Sequence, residues 1–175
     1  SLYSDGTFSV SELVKRSGEK GIKILSLTDH DTVEGLAKAA KECIENNIKF
    51  INGIEISTEY KEKEVHILGY FIDEKDKSLI DFSDEMKQAR IDRNEKAIKI
   101  LHNHGIEITK EDTFREAEGV IISRTHLARA LIAKGYVKDV KEAFDKYLGS
   151  NGLAYVPKSN LNPFDGIEVI KKSGG

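Results

Sequence analysis

Cysteine occurs only once in the chain, at Cys43, so no internal disulfide can form and the scaffold must be held by its packed core. A reducing cytoplasm fits that usage, and the place of Cys43 inside an expected helix suits a small core residue. An excess of basic charge is lacking too: 27 Lys and Arg stand against 30 Asp and Glu, a formal charge of -3. Without a global basic field, strong binding to duplex nucleic acid is excluded, and any nucleotide recognition must be local. No apolar run approaches the roughly 20 residues of a membrane-spanning helix, so no membrane role is expected. Internal repeats and low-complexity tracts are also missing.

What is present is 175 residues with 39% hydrophobic and 33% charged side chains, enough for one sizeable core or for one domain carrying an insertion. The chain opens at Ser1 without a methionine or signal peptide. It stops at Gly174-Gly175 directly after an amphipathic segment, where a strand would follow. These ends lead us to expect a fragment trimmed at both termini.

Ser9-Val10-Ser11-Glu12 has capping-box spacing, and the apolar positions after it predict a helix over 10–20. Ile22 to Leu27 reads as a buried strand. Val33, Leu36, Ala37, Ala40 and Ile44 then recur at helical intervals. Lys49 to Ser57 and Val65 to Ile72 read as further strands, which makes the opening α/β. From Lys77 the sequence turns helical and charged, apart from a β-branched cluster at Gly119 to Ile122. A long helix is predicted over 83–102, a second from Ser123 as N-cap to near Gly135, and a third over 138–148. Asn162-Pro163 restarts a helix carrying Ile167, Val169 and Ile170. The expected organisation is therefore an α/β unit over 1–76, a helical insertion over 77–158, and a return to the first unit over 159–175.

Polar groups interrupt this pattern at strand ends, where parallel α/β proteins gather ligands. Asp29 and His30 lie in the tetrad Thr28-Asp29-His30-Asp31 after the first strand. Glu55 lies in Gly53-Ile54-Glu55-Ile56, and His66 in Val65-His66-Ile67-Leu68. Each is costly if buried unpaired. A carboxylate and two imidazoles on neighbouring strands satisfy one another around divalent cations, and Asp5 in Ser4-Asp5-Gly6 is placed to join them. Singly, each has a plainer alternative: Asp5 as a turn former, His66 as a core histidine, Glu55 as an edge-strand carboxylate. His102 and His104 straddle an expected helix end and read as cap or surface residues.

Together these motifs, Ser1-Leu-Tyr-Ser-Asp5-Gly6, Leu27-Thr-Asp-His30-Asp31-Thr32, Gly53-Ile-Glu55-Ile-Ser57 and Val65-His66-Ile-Leu-Gly69-Tyr70, resemble the PHP superfamily, the polymerase and histidinol phosphatase metallohydrolases. Ile122-Ser123-Arg124-Thr125-His126-Leu127-Ala128-Arg129 resembles the helical insertion of the branch that dephosphorylates nucleoside 3',5'-bisphosphates and trims short oligoribonucleotides from the 5' end. The resemblance implies a partial, distorted (β/α)7 barrel with an inserted all-helical lid, the cleft lying between them. It also implies two or three divalent metal ions, Mn, Fe or Zn. Asp5 and His30 would share one ion, Glu55 would bridge two, His66 would serve a third, and Asp29 would orient His30. Family members also carry a His-x-His pair, a His-Pro and an Asp-x-His motif that this chain lacks, so weak or incomplete metal binding is expected of the polypeptide as written.

At Ser123, Arg124 and His126 would occupy the first helical turn beside free backbone N–H groups and the positive end of the helix dipole, an arrangement suited to an anion. With the resemblance, Arg124, His126 and Arg129 are candidate phosphate contacts, joined by Arg93 on the long helix and Lys158 where the chain leaves the insertion. The implied activity is hydrolysis of small phosphorylated substrates, a nucleotide or short RNA, by metal-activated water. A histidinol- or sugar-phosphate phosphatase and a non-catalytic PHP-like binding module are the alternatives.

Overall fold

A computed structural model describes residues 1–116, 123–158 and 161–175. It is mixed α/β with one small sheet. The elements run α1 (Val10–Glu19), β1 (Ile24–Leu27), α2 (Leu36–Glu45), β2 (Lys49–Tyr60), β3 (Lys63–Tyr70), α3 (Lys77–Asn103), α4 (Lys110–Glu116), α5 (Arg124–Ala133), α6 (Val140–Ala143), a π-helical turn (Phe144–Leu148) and α7 (Pro163–Lys172). The apolar run expected at 119–122 lies outside the described residues. No described helix is long and apolar enough to cross a membrane.

The chain divides into two compact units, Ser1–Lys87 with Asn160–Gly175, and Gln88–Ser159. The first holds the sheet, in strand order β1-β2-β3. β1 and β2 are parallel, with Leu27 beside Asn52, whereas β2 and β3 form an antiparallel hairpin. Its two turn residues, Lys61 and Glu62, both take positive φ, 49° and 63°, the backbone that a tight two-residue hairpin requires. Along β2 the side chains alternate. Ile54, Ile56 and Thr58 are buried at 0%, 0% and 4% exposure, and Glu55 and Ser57 take the opposite face. Full burial of the two isoleucines stabilises the unit by about 1.5–3 kcal/mol each. α7 packs on the same side: a Cβ at Gly69 of β3 would come within 2.8 Å of Ile170. Gly53 is needed for another close approach, because a Cβ there would lie 2.8 Å from Thr28 Cγ2 and against Ser26 Oγ across the β1–β2 pair.

Several expectations need correction. The first strand begins at Ile24, and Ile22 and Ile24 are exposed, because β1 pairs on one side only within the described sheet. α2 begins at Leu36, after a turn over 34–35 that resets its phase. Its inward residues are therefore Leu36, Ala39 and Cys43, whereas Ile44, read as apolar-face, is 76% exposed. The long helix starts at Lys77, and its first turns belong to the first unit, since Leu79 and Phe82 are buried there with Met86 packed beside them.

The second unit packs α3 from Gln88 onward with α4 and α5 around Leu101, Ile108, Leu127 and Leu131, each fully buried. α4 was not anticipated. Its signal is Thr109-Lys110-Glu111-Asp112, a reciprocal cap in which the Thr109 N–H donates to Asp112 Oδ2 at 2.9 Å and the Asp112 N–H to Thr109 Oγ1 at 3.1 Å. The helix expected over 138–148 is α-helical only to Ala143 and then widens into the π turn, closed by the Gly149 N–H donating to the Phe144 carbonyl at 2.8 Å.

Candidate metal centre

β2 and β3 form the floor of the site. Their register places Ser57 opposite His66 and Glu55 opposite Leu68, so Glu55 and His66 are diagonal neighbours on the face turned away from the core. That diagonal brings Glu55 Oε1 to 2.8 Å from His66 Nδ1. β1 ends at Leu27, but the chain makes one further bridge to β2, His30 against Glu55. His30 Nε2 consequently stands 3.7 Å from Glu55 Oε2 and 3.6 Å from Asp5 Oδ2. The two imidazoles meet edge-on with centroids 4.8 Å apart. One ligand atom each from His30, Glu55 and His66 lies within 4.8 Å of the others. Two imidazoles and a carboxylate converging this closely, with Asp5 as a second carboxylate, are a donor set that fits a divalent cation of mixed N/O preference.

The electrostatics of His66 follow from the same geometry. Burial of the ring works against its charge, but the hydrogen bonds and charges of Glu64 and Glu55 outweigh it and hold the imidazole pKa above its ordinary value. Glu64, whose Oε1 lies 3.1 Å from His66 Nε2, was missed in the sequence. It sits two residues before His66 and so shares its face of the strand.

Asp29 is buried, and its carboxylate accepts from Ser1 Oγ at 2.6 Å and Ser4 Oγ at 2.8 Å. It thereby ties the segment that carries Asp5 to the strand end that carries His30. A role in orienting His30 is expected of it from the sequence; the contacts to Ser1 and Ser4 clamp the N-terminal turn. Asp31, to which no site role was assigned, is also buried and accepts from the Ser57 N–H at 2.6 Å.

The expected phosphate contacts lie in the second unit. Ser123 does precede a helix, α5, and its N–H donates to His126 Nδ1 at 3.0 Å. Because Nδ1 accepts there, the neutral ring carries its proton on Nε2. His126 is buried, and through that bond it caps its own helix. The Arg124 guanidinium lies 5.5 Å over the Phe144 ring and donates to the Leu148 carbonyl at 3.4 Å. Arg129, half-buried one turn on, has no hydrogen-bond or ion-pair partner among the described residues. Arg93 and Lys158 are half-buried in the same unit. His102 and His104 are exposed, and His104 Nδ1 meets the Ile100 carbonyl at 2.8 Å at the end of α3.

A model of the PHP domain matches residues 1–150. The chain belongs to the PHP family. Among its PHP relatives, the 3',5'-nucleoside bisphosphate phosphatase of Chromobacterium violaceum is 33% identical over 176 residues, covering 100% of this chain and 62% of that protein. The 5'-3' exoribonuclease Rnm of Escherichia coli is 32% identical over 174 residues, covering 98% of this chain and 59% of the other. Among solved structures, an amidohydrolase from Chromobacterium violaceum with bound sulfate and no metal superposes with a TM-score of 0.87 at 33% identity. A Bifidobacterium adolescentis protein described as a metal-dependent phosphoesterase superposes with a TM-score of 0.88 at 26% identity. Each superposition covers 100% of this chain and 62% of the other. The chain thus spans about three fifths of the length of these PHP relatives.

Proposed function

We propose that this chain carries part of the active site of a PHP-type phosphoesterase that hydrolyses phosphate esters of nucleotides, either a nucleoside 3',5'-bisphosphate or the 5' end of a short oligoribonucleotide. The observation that carries this reading is the convergence of Asp5, His30, Glu55 and His66, drawn from the N-terminal turn, the end of β1, β2 and β3, onto one polar face. The names of the relatives support the substrate class. The three-stranded sheet, with its core on one face and its ligand set on the other, is consistent with part of a distorted (β/α)7 barrel.

Asp5, His30, Glu55 and His66 would hold two or three divalent ions, Mn, Fe or Zn. When bound, such ions supply water activation and neutralise charge on the phosphate. The residues of the chain do the rest. Glu55, between the two imidazoles, keeps both aimed at one space, and Asp29 holds Asp5 beside His30. The helical segment 77–158 serves substrate recognition. Arg129 offers a guanidinium with no partner among the described residues, and Arg124, Arg93 and Lys158 add positive charge for a phosphate.

The test is turnover, by the protein in its full encoded length with Mn²⁺, of adenosine 3',5'-bisphosphate, a short 5'-phosphorylated RNA and histidinol phosphate. Preference for the first two supports the reading, and preference for histidinol phosphate overturns it. Unchanged turnover after Arg124→Ala removes that residue from the phosphate site.

A further inference from the structure

We infer that Asp31 is a positioning residue that sets the spacing between His30 and Glu55. The inference rests on reading those two as metal ligands. Among the described residues, Asp31 is one of five non-glycine residues with positive φ, at 56°, and the only buried one of them, with 5% exposure. Its surroundings explain why the chain accepts that backbone. Beyond β1 the ladder to β2 continues for two more bonds, from the Glu55 N–H to the Asp29 carbonyl at 3.1 Å and from the Asp31 N–H to the Glu55 carbonyl at 2.8 Å. The next donor along that edge of β2 is the Ser57 N–H, and a strand continuing from β1 would answer it with a backbone carbonyl. Here the left-handed turn at Asp31 takes the chain away from the sheet toward α2, and the side chain stays behind: Asp31 Oδ1 accepts from the Ser57 N–H at 2.6 Å.

Asp31 therefore grips β2 at two successive points, with its N–H bonded to the Glu55 carbonyl and its carboxylate to the Ser57 N–H, while the Asp29 carbonyl holds the Glu55 N–H on the other flank. His30 is the residue immediately before this grip and pairs with Glu55. A ligand whose backbone is pinned on both flanks has little freedom to shift along or away from the strand. That is how a supporting residue preserves the 3.7 Å separation between His30 Nε2 and Glu55 Oε2. Two properties are required of position 31, tolerance of positive φ and a side-chain acceptor. Asp and Asn have both, Gly has the first only, and Ala has neither.

The experiment compares Asp31→Asn, Asp31→Gly and Asp31→Ala in the ¹⁵N-labelled chain by two readouts. The first is hydrogen exchange at the Ser57 amide without metal. The second is the Mn²⁺ concentration that half-broadens the His30 and His66 ring resonances, a measure that registers weak binding. Asp31→Asn should stay within about 3-fold of the wild type in both. Asp31→Gly should speed Ser57 exchange and raise the required Mn²⁺ by roughly 10-fold or more, as loss of a supporting group does at metal sites. Should Asp31→Ala fail to fold, the Gly and Asn pair still decides, since neither strains the turn. Fast Ser57 exchange with unchanged Mn²⁺ response overturns the positioning role, as does an Asp31→Gly chain equal to wild type. Glu55→Gln and His30→Ala separate the two readings: if they leave the Mn²⁺ response unchanged, or the wild type shows none, the metal centre itself is refuted. If they abolish the response and Asp31→Gly does not alter it, only the role of Asp31 falls.

Discussion

Glu55 holds His66 across the β2–β3 hairpin at 2.8 Å with one carboxylate oxygen, and the other faces His30 at 3.7 Å. A single acidic side chain thus stands between both imidazoles, and its charge should matter more to cation binding than its shape. Glu55→Gln keeps the volume and removes the charge. We expect Mn²⁺ affinity to fall by at least about 100-fold, the upper end of what losing a supporting group costs, with the far-UV dichroism unchanged. Calorimetric titration of both proteins checks this, and equal affinities would remove Glu55 from the ligand set.

Gly53→Ala should destabilise the first unit by about 1–3 kcal/mol through overpacking. The added methyl would meet Ser26 Oγ and would lie 2.8 Å from Thr28 Cγ2 and 3.1 Å from the Leu27 carbonyl, all on rigid backbone or short side chains. Urea unfolding measures the loss. A variant as stable as the wild type would mean that β1 and β2 can separate freely at this point.

His126 is a candidate phosphate contact in the sequence and caps α5 in the structure, and two substitutions divide those roles. Glutamine at the third helical position can still accept from the Ser123 N–H, whereas alanine cannot. His126→Ala should therefore cost about 1 kcal/mol of stability, and His126→Gln much less. If His126 also touches phosphate, the Gln variant should retain its thermal midpoint and lose kcat/KM. Full activity in that variant would leave His126 as a cap alone.

The Lys134 ammonium, 2.6 Å away, and the N–H and hydroxyl of Thr109 hold the Asp112 carboxyl pKa down at about 2. A depressed carboxylate stabilises the fold above its unfolded pKa near 4, and that contribution disappears as pH falls toward 2. Solvent screening of a pair whose Lys134 is 38% exposed limits it to about 1 kcal/mol. Asp112→Asn should lower stability at pH 7 by that amount and flatten the decline between pH 4 and 2. Parallel acid-unfolding curves for the two proteins would contradict the assignment.

The ligand set was legible because its residues break rules that their neighbours obey. Glu55 and His66 are polar interruptions of apolar β-rich runs, and Asp29 and His30 crowd a strand end, so each stands out against the period of its own element. Glu64 and Asp31 did not stand out. A carboxylate on an exposed strand face, or in a turn, is ordinary locally: the partner of Glu64, His66, lies two residues along the same strand, and that of Asp31, Ser57, lies on β2. The α2 register was misread because Ile44 is as apolar as any core residue. Only the late start of the helix at Leu36 decides that Cys43 is buried and Ile44 is not.

The sequence by itself determined the kind and order of most elements, α4 apart, and which side chains can bind a cation, since these follow from local periodicity and from side-chain chemistry. The tertiary structure alone decided which donors meet. The diagonal of Glu55 with His66 depends on a hairpin register, and the approach of His30 depends on two extra rungs of ladder beyond β1. The duty of Asp29 toward Ser1 and Ser4 depends on a contact 25 residues or more away in the chain. Distances of this kind are set by packing between segments remote in sequence, and no local pattern encodes them.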